Sequence, residues 1–80
     1  MNISGRELMR LLERDGWISG GRRTHGIFYY KRFPRESMPR STVIPDKSSP
    51  LPRTTLGAIL SLKQTGLGSA GLRSLMDRKQ

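Results

Sequence analysis

Gly20-Gly21-Arg22-Arg23-Thr24-His25-Gly26-Ile27-Phe28-Tyr29-Tyr30-Lys31-Arg32-Phe33 is the stretch on which the fold of this chain turns. From His25 to Phe33 it holds two Tyr, two Phe and an Ile, residues that suit a pleated, half-buried surface, so the central strand is expected here. Strand side chains alternate, which sets His25, Ile27, Tyr29 and Lys31 on one face and Phe28, Tyr30 and Arg32 on the other. Tyr29 and Tyr30 thus face opposite ways, and for each taken separately core packing is the commoner role. The Gly20-Gly21 pair is read as the turn before this strand, after an extended stretch opened by Trp17-Ile18. One imidazole, the only histidine among 80 residues, is thereby placed at the strand entrance beside two guanidiniums.

Upstream, Ser4-Gly5-Arg6-Glu7 followed by Leu8, Met9, Leu11 and Leu12 combines a capping box with apolar residues at helical spacing. A helix is expected from about Ser4 to Asp15, closed by Gly16 in a left-handed cap. Downstream, Pro34 to Pro39 reads as a loop, and Ser41-Thr42-Val43-Ile44 as a short third strand ending at Pro45. The prolines and serines between Asp46 and Arg53 indicate an irregular surface crossing. Thr54 or Thr55 is expected to cap a second helix carrying Leu56, Ile59, Leu60 and Leu62, and Ser69 to start a third through Leu72, Leu75 and Met76. The order of helix, three antiparallel strands and helix, with an additional short C-terminal helix, predicts an α+β fold. Helices cover one face of its sheet and leave the other for binding. Trp17, Leu8, Leu11, Leu12, Ile59 and Leu60 are assigned to the core.

Fifteen Lys and Arg against six Asp and Glu give a formal net charge of +9, which favours polyanions over neutral metabolites. Nucleic acid is the leading partner, although an acidic protein or an anionic membrane would be drawn by the same field. With 34% hydrophobic residues, the chain supports one domain, 1–80, with a small core. The absence of cysteine excludes a disulfide framework and a thiolate metal site. One histidine and six scattered carboxylates make no recognisable ligand set, and no phosphate-binding glycine signature is present, so no metal or other cofactor is expected. No apolar stretch approaches a signal-peptide core or a membrane span, which leads to the expectation of a cytoplasmic protein.

Four pieces of the sequence recur in a familiar order: Glu7-Leu8-Met9-Arg10-Leu11-Leu12-Glu13-Arg14-Asp15-Gly16-Trp17, then Arg22-Arg23-Thr24-His25, then Val43-Ile44-Pro45, then Thr55-Leu56-Gly57-Ala58-Ile59-Leu60 with Gly66-Leu67. In these the chain resembles the HicA family of bacterial toxins, small basic messenger-RNA interferases with a fold like the double-stranded RNA-binding domain. The resemblance covers nearly the whole length. It implies the toxin of a type II toxin-antitoxin system, an endoribonuclease that slows growth. It also implies a HicB-type antitoxin that covers the active surface and supplies DNA binding for the complex. The family's catalytic histidine corresponds to His25. Arg23 and Thr24 stand where the family has Gly and Ser, and Asp46-Lys47-Ser48-Ser49 replaces a basic or histidine-containing stretch.

Cleavage of RNA needs a base to take the 2′-hydroxyl proton so that the oxygen can attack the adjacent phosphorus without an added metal. Histidine suits this because its unperturbed pKa of about 6.5 lies near cellular pH. Arg22 and Arg23 would orient the phosphate and stabilise its developing charge. Together with Thr24, Lys31 and Arg32 they are the expected RNA contacts, and Arg35 extends the same basic surface. The acid for the leaving 5′-oxygen is left open between Lys31, water and protonated His25. Without the resemblance, a lone histidine beside a turn is more often an ordinary surface residue, and such cations a solvated rim. A non-catalytic RNA-binding module of the same fold is therefore the alternative, ahead of a small basic DNA-binding or ribosome-associated protein. Arg6, Arg10 and Arg14, at helical spacing, form a further basic stripe that either meets RNA or an acidic partner or faces solvent.

Overall fold

A computed structural model describes residues 2–78. The first helix, α1 (Gly5–Arg14), starts at the capping box. The Glu7 N–H donates to Ser4 Oγ at 3.1 Å and the Ser4 N–H donates to the Glu7 carboxylate at 2.9 Å, so two first-turn donors are satisfied reciprocally. Asp15 closes the helix and Gly16 follows at φ +96°, the left-handed cap expected from the sequence. Leu8, Met9, Leu11 and Leu12 are buried on one face. Burying a leucine completely, as at Leu8 and Leu12, contributes about 1.5–3 kcal/mol relative to leaving it exposed.

Three strands, β1 (Ile18–Arg23), β2 (Gly26–Lys31) and β3 (Arg40–Ile44), form an open antiparallel sheet in the order β1-β2-β3. The aromatic run is the central strand, as expected, but its entrance is built differently. Gly20 and Gly21 lie inside β1, at a bulge where the register slips between Ser19 and Gly21. The turn is Thr24-His25, so His25 precedes β2 instead of opening it. The reason lies across the strands: a Cβ on Gly20 would come within 2.4 Å of the Phe28 ring, so this glycine makes room for an aromatic neighbour. Two-residue hairpins usually need positive φ at one or both turn positions. Neither Thr24 nor His25 has one, and Gly26 carries the irregularity instead, at φ +150° and so close to β3 that a Cβ would lie 2.1 Å from the Ile44 carbonyl oxygen.

The second helix, α2 (Arg53–Leu60), begins before Thr54, so neither threonine caps it. Pro52 occupies the cap position with its ring holding φ at −58°, and its carbonyl accepts the Leu56 N–H at 2.9 Å. Leu62 falls beyond the helix and is exposed. The third helix, α3 (Gly68–Asp77), begins one residue ahead of Ser69. Thr65 joins the two helices, its hydroxyl donating to the Ile59 carbonyl at 2.7 Å and accepting the Leu67 N–H at 3.3 Å.

Helix α1 packs on the sheet face that carries Ile27, Tyr29 and Ile44, and α3 rests against α1 and α2. Leu56, Ile59, Leu60, Leu72 and Leu75 complete that core with Trp17. The opposite face bears Phe28, Tyr30 and Val43, all half-buried, beside Ile18, which is 53% exposed. No helix among the described residues is long and apolar enough to cross a membrane.

Candidate functional site

The pairing of Ile27 with Ile44 brings the chain that leaves β3 alongside the β1–β2 turn. Arg22, Arg23, Thr24 and His25 from the turn then share an open depression of about 560 Å³ with Pro45, Asp46 and Lys47 and with Thr55 from the first turn of α2. His25 and Thr24 are exposed at its rim. The depression therefore gathers three of the expected cation and hydroxyl contacts, Arg22, Arg23 and Thr24, around the expected base.

Asp46 organises the cations. Its carboxylate accepts from Arg22 at 2.9 Å and from Arg6 at 3.1 Å, linking the hairpin to the first turn of α1. These bonds, Arg22's foremost, hold the Asp46 carboxyl below the usual carboxylate range. Exposed pairs of this kind contribute little to stability, but they fix where a side chain points. Arg6 is thereby separated from the rest of its helical stripe, since Arg10 and Arg14 line a different cleft with Asn2, Ile3 and Met76. Arg23 leans the other way, across the open sheet face. Its guanidinium donates to the carbonyls of Gly20 and Arg22 at 3.2 and 3.3 Å and sits 4.7 Å from the centre of the Phe28 ring.

Lys31 and Arg32 are not part of this site. They lie at the other end of β2, about 20 Å from the turn at ~3.3 Å per residue. Lys31 Nζ donates to the Asp15 carbonyl at 2.5 Å and to its carboxylate at 3.3 Å, so Lys31 cannot serve as the acid for a phosphate at His25. Burial alone would raise the Asp15 carboxyl, but hydrogen bonds from Arg78, Lys31 and Trp17 outweigh it and hold the group below its ordinary value. Arg32, just past the strand, is exposed. Lys47 is the cation that the depression offers in place of Lys31. Sequence spacing gave no sign of Lys47 or Asp46, because only the β2–β3 register sets residues some 20 positions apart side by side.

The two tyrosines divide as alternation requires. Tyr29 is buried, and its hydroxyl donates to Glu13 at 2.5 Å; burial and this carboxylate push its pKa up to about 12. Tyr30 looks outward, its ring centre 6.0 Å from that of Phe28 with 31° between the planes. Among the described residues, no three His, Asp or Glu side chains converge on a point where a metal ion would sit. The arrangement is thus an accessible imidazole at the tip of a hairpin, flanked by one guanidinium held in place, a second stacked on an aromatic ring, and a nearby ammonium. No protein-family model, curated protein or solved structure matches the chain.

Proposed function

We propose that the protein is the toxin of a HicA-HicB-type pair, a metal-independent endoribonuclease that cuts messenger RNA on a frame like the double-stranded RNA-binding domain. The observation that carries this reading is the exposed imidazole of His25 sharing one depression with Arg22, Arg23 and Lys47. A phosphodiester seated there meets cations from both the turn and the chain after β3. His25 takes the 2′-hydroxyl proton, and the oxygen attacks the adjacent phosphorus to close a 2′,3′-cyclic phosphate. The bond to the 5′-oxygen breaks as that oxygen receives a proton from Lys47 or water. Arg22, held by Asp46, needs no reorientation as charge grows on the phosphoryl oxygens. A cytoplasmic antitoxin that silences this site would cover the turn and present acidic groups to it.

RNA cleavage by wild type and by His25→Ala, both in excess chelator, tests the reading. Wild type is expected to cut and the variant to lose at least ~100-fold in rate, the lower end of what a general base contributes. Cleavage that survives in the variant would reject His25 as the base, and cleavage abolished by chelator would reject the metal-free route. One observation favours a second reading, a non-catalytic RNA-binding module of the same frame. His25 stands exposed on the rim of the depression, where a histidine of no chemical role would also stand. Intact RNA retained on the wild-type protein would favour that module.

A further inference from the structure

The depression around His25 does not stop at the turn. Val43 and Thr55 line it and also line a second concavity, an open groove of about 620 Å³ between β3 and α2. The two spaces therefore adjoin along Val43 and Thr55. Phe28, Ser41 and Val43 supply the sheet side of the groove and Thr54 and Ala58 the helix side, with Lys63 beyond the end of α2 that is remote from His25.

Charge, surface and length select the occupant. No acidic residue lines the groove, and in the depression Asp46 is already bonded to Arg6 and Arg22, so the path complements a polyanion. Phe28 offers an aromatic surface beside Tyr30, and Arg23, whose guanidinium lies over that ring 4.7 Å from its centre, would yield the ring face to a base and turn its charge to the adjoining phosphate. The helical wall has 8 residues and so runs for about 12 Å. A wall of that length takes a short run of nucleotides and no more. In a duplex the base faces are stacked on one another, so only an unpaired strand has one to offer Phe28.

We propose that this groove is a subsite for single-stranded RNA, in which a base near the scissile phosphate stacks on Phe28 while Lys63 holds a phosphate farther along the strand. The proposal rests on the reading of His25 as the cleaving residue for the direction of the strand, although binding itself requires no cleavage.

The test is fluorescence anisotropy of the full chain with a short labelled 2′-O-methyl oligoribonucleotide, which lacks the attacking hydroxyl, against a duplex of the same sequence at matched salt. The single strand is expected to bind more tightly than the duplex. Phe28→Leu should weaken it roughly 5- to 150-fold, the range for loss of one base-aromatic stack. Lys63→Glu, at an exposed site, should weaken it and flatten the salt dependence, and it keeps the test open if Phe28→Leu disturbs the sheet. Arg10→Ala, in the separate cleft on α1, should change little. Tighter binding of the duplex, or wild-type affinity in both Phe28→Leu and Lys63→Glu, would overturn the proposal. Binding through Phe28 and Lys63 by a protein that cuts no RNA would uphold the subsite and reject the nuclease, whereas cleavage with both variants indifferent would do the reverse.

Discussion

Tyr29 and Tyr30 are consecutive residues of one strand, yet the sheet gives them opposite surroundings. Tyr29 points into a face closed by α1, where its hydroxyl is bonded to Glu13 among the residues of the core. Tyr30 points to the opposite face, among Phe28, Val43 and the exposed Ile18. The difference teaches that the aromatic run serves two purposes in alternation: its inward residues hold the sheet to the helices, and its outward residues remain available to a ligand. The cations follow the same division. Lys31, on the inward set, is tied to Asp15, while Arg23 lies over the outward Phe28.

Substitutions on the two faces should therefore separate stability from binding. The largest loss of stability is expected from Leu12→Ala, which empties a fully buried site beneath the inner face and should cost about 2–5 kcal/mol. In thermal unfolding that corresponds to a fall of roughly 10 °C or more for a domain of this size. A loss below ~1 kcal/mol would break the picture of α1 as the element that closes this face.

Tyr29→Phe should cost about 1.5–3 kcal/mol, the range for a hydrogen bond to a charged partner, and it should also change the alkaline limb of stability. The folded pKa of Tyr29, about 12, exceeds the ordinary value of 10.0. Its contribution is thus whole below pH ~10 and is lost as pH rises through the folded value. Denaturant titrations between pH ~9 and ~12 should show this loss in wild type and its absence in Tyr29→Phe.

On the acid side the sign reverses. Asp15 has a lowered pKa in the folded protein, so its contribution is whole above the unfolded value near ~3.9 and is lost as pH falls through the folded one. Asp15→Asn should flatten the acid limb and remove the ion pairs to Lys31 and Arg78 together, while Lys31 keeps its bond to the backbone carbonyl of residue 15. An unchanged acid limb in that variant would remove Asp15 as its source.

The smallest stability effect is expected from Tyr30→Ser, about 1 kcal/mol for a half-buried strand residue that loses its ring contact with Phe28, measured by the same denaturant titration. A cost comparable to that of Leu12→Ala would mean that the outer face is structural as well, and the division between the faces would fail.

What was legible in the sequence was local. The capping box at Ser4 and Glu7, the left-handed Gly16 and the aromatic strand each carry their signal within a few residues, and each appears where it was expected. The errors arose where the deciding neighbour is distant along the chain. A glycine pair reads equally well as a turn or as a bulge, and only Phe28 packed across the strands decides for the bulge at Gly20. Thr54 and Thr55 look like caps, but the helix starts with Pro52, whose ring already holds the required angle. In the candidate site, His25, Arg22 and Arg23 are adjacent in sequence and could be named together. Asp46 and Lys47 join them only through the register of β2 against β3, and Lys31 leaves them because Asp15 reaches it from the end of α1.

The bulge at Gly20-Gly21 has one more consequence. Strand β1 is an outer strand exposed along its whole length, the kind of edge on which a second copy of a chain can add and begin an aggregate. Its irregular backbone interrupts the ladder such a copy would need, and Arg22 and Arg23 repel a copy carrying the same charges. The residues that make the hairpin attractive to a polyanion thus also keep the protein dispersed while no ligand covers it.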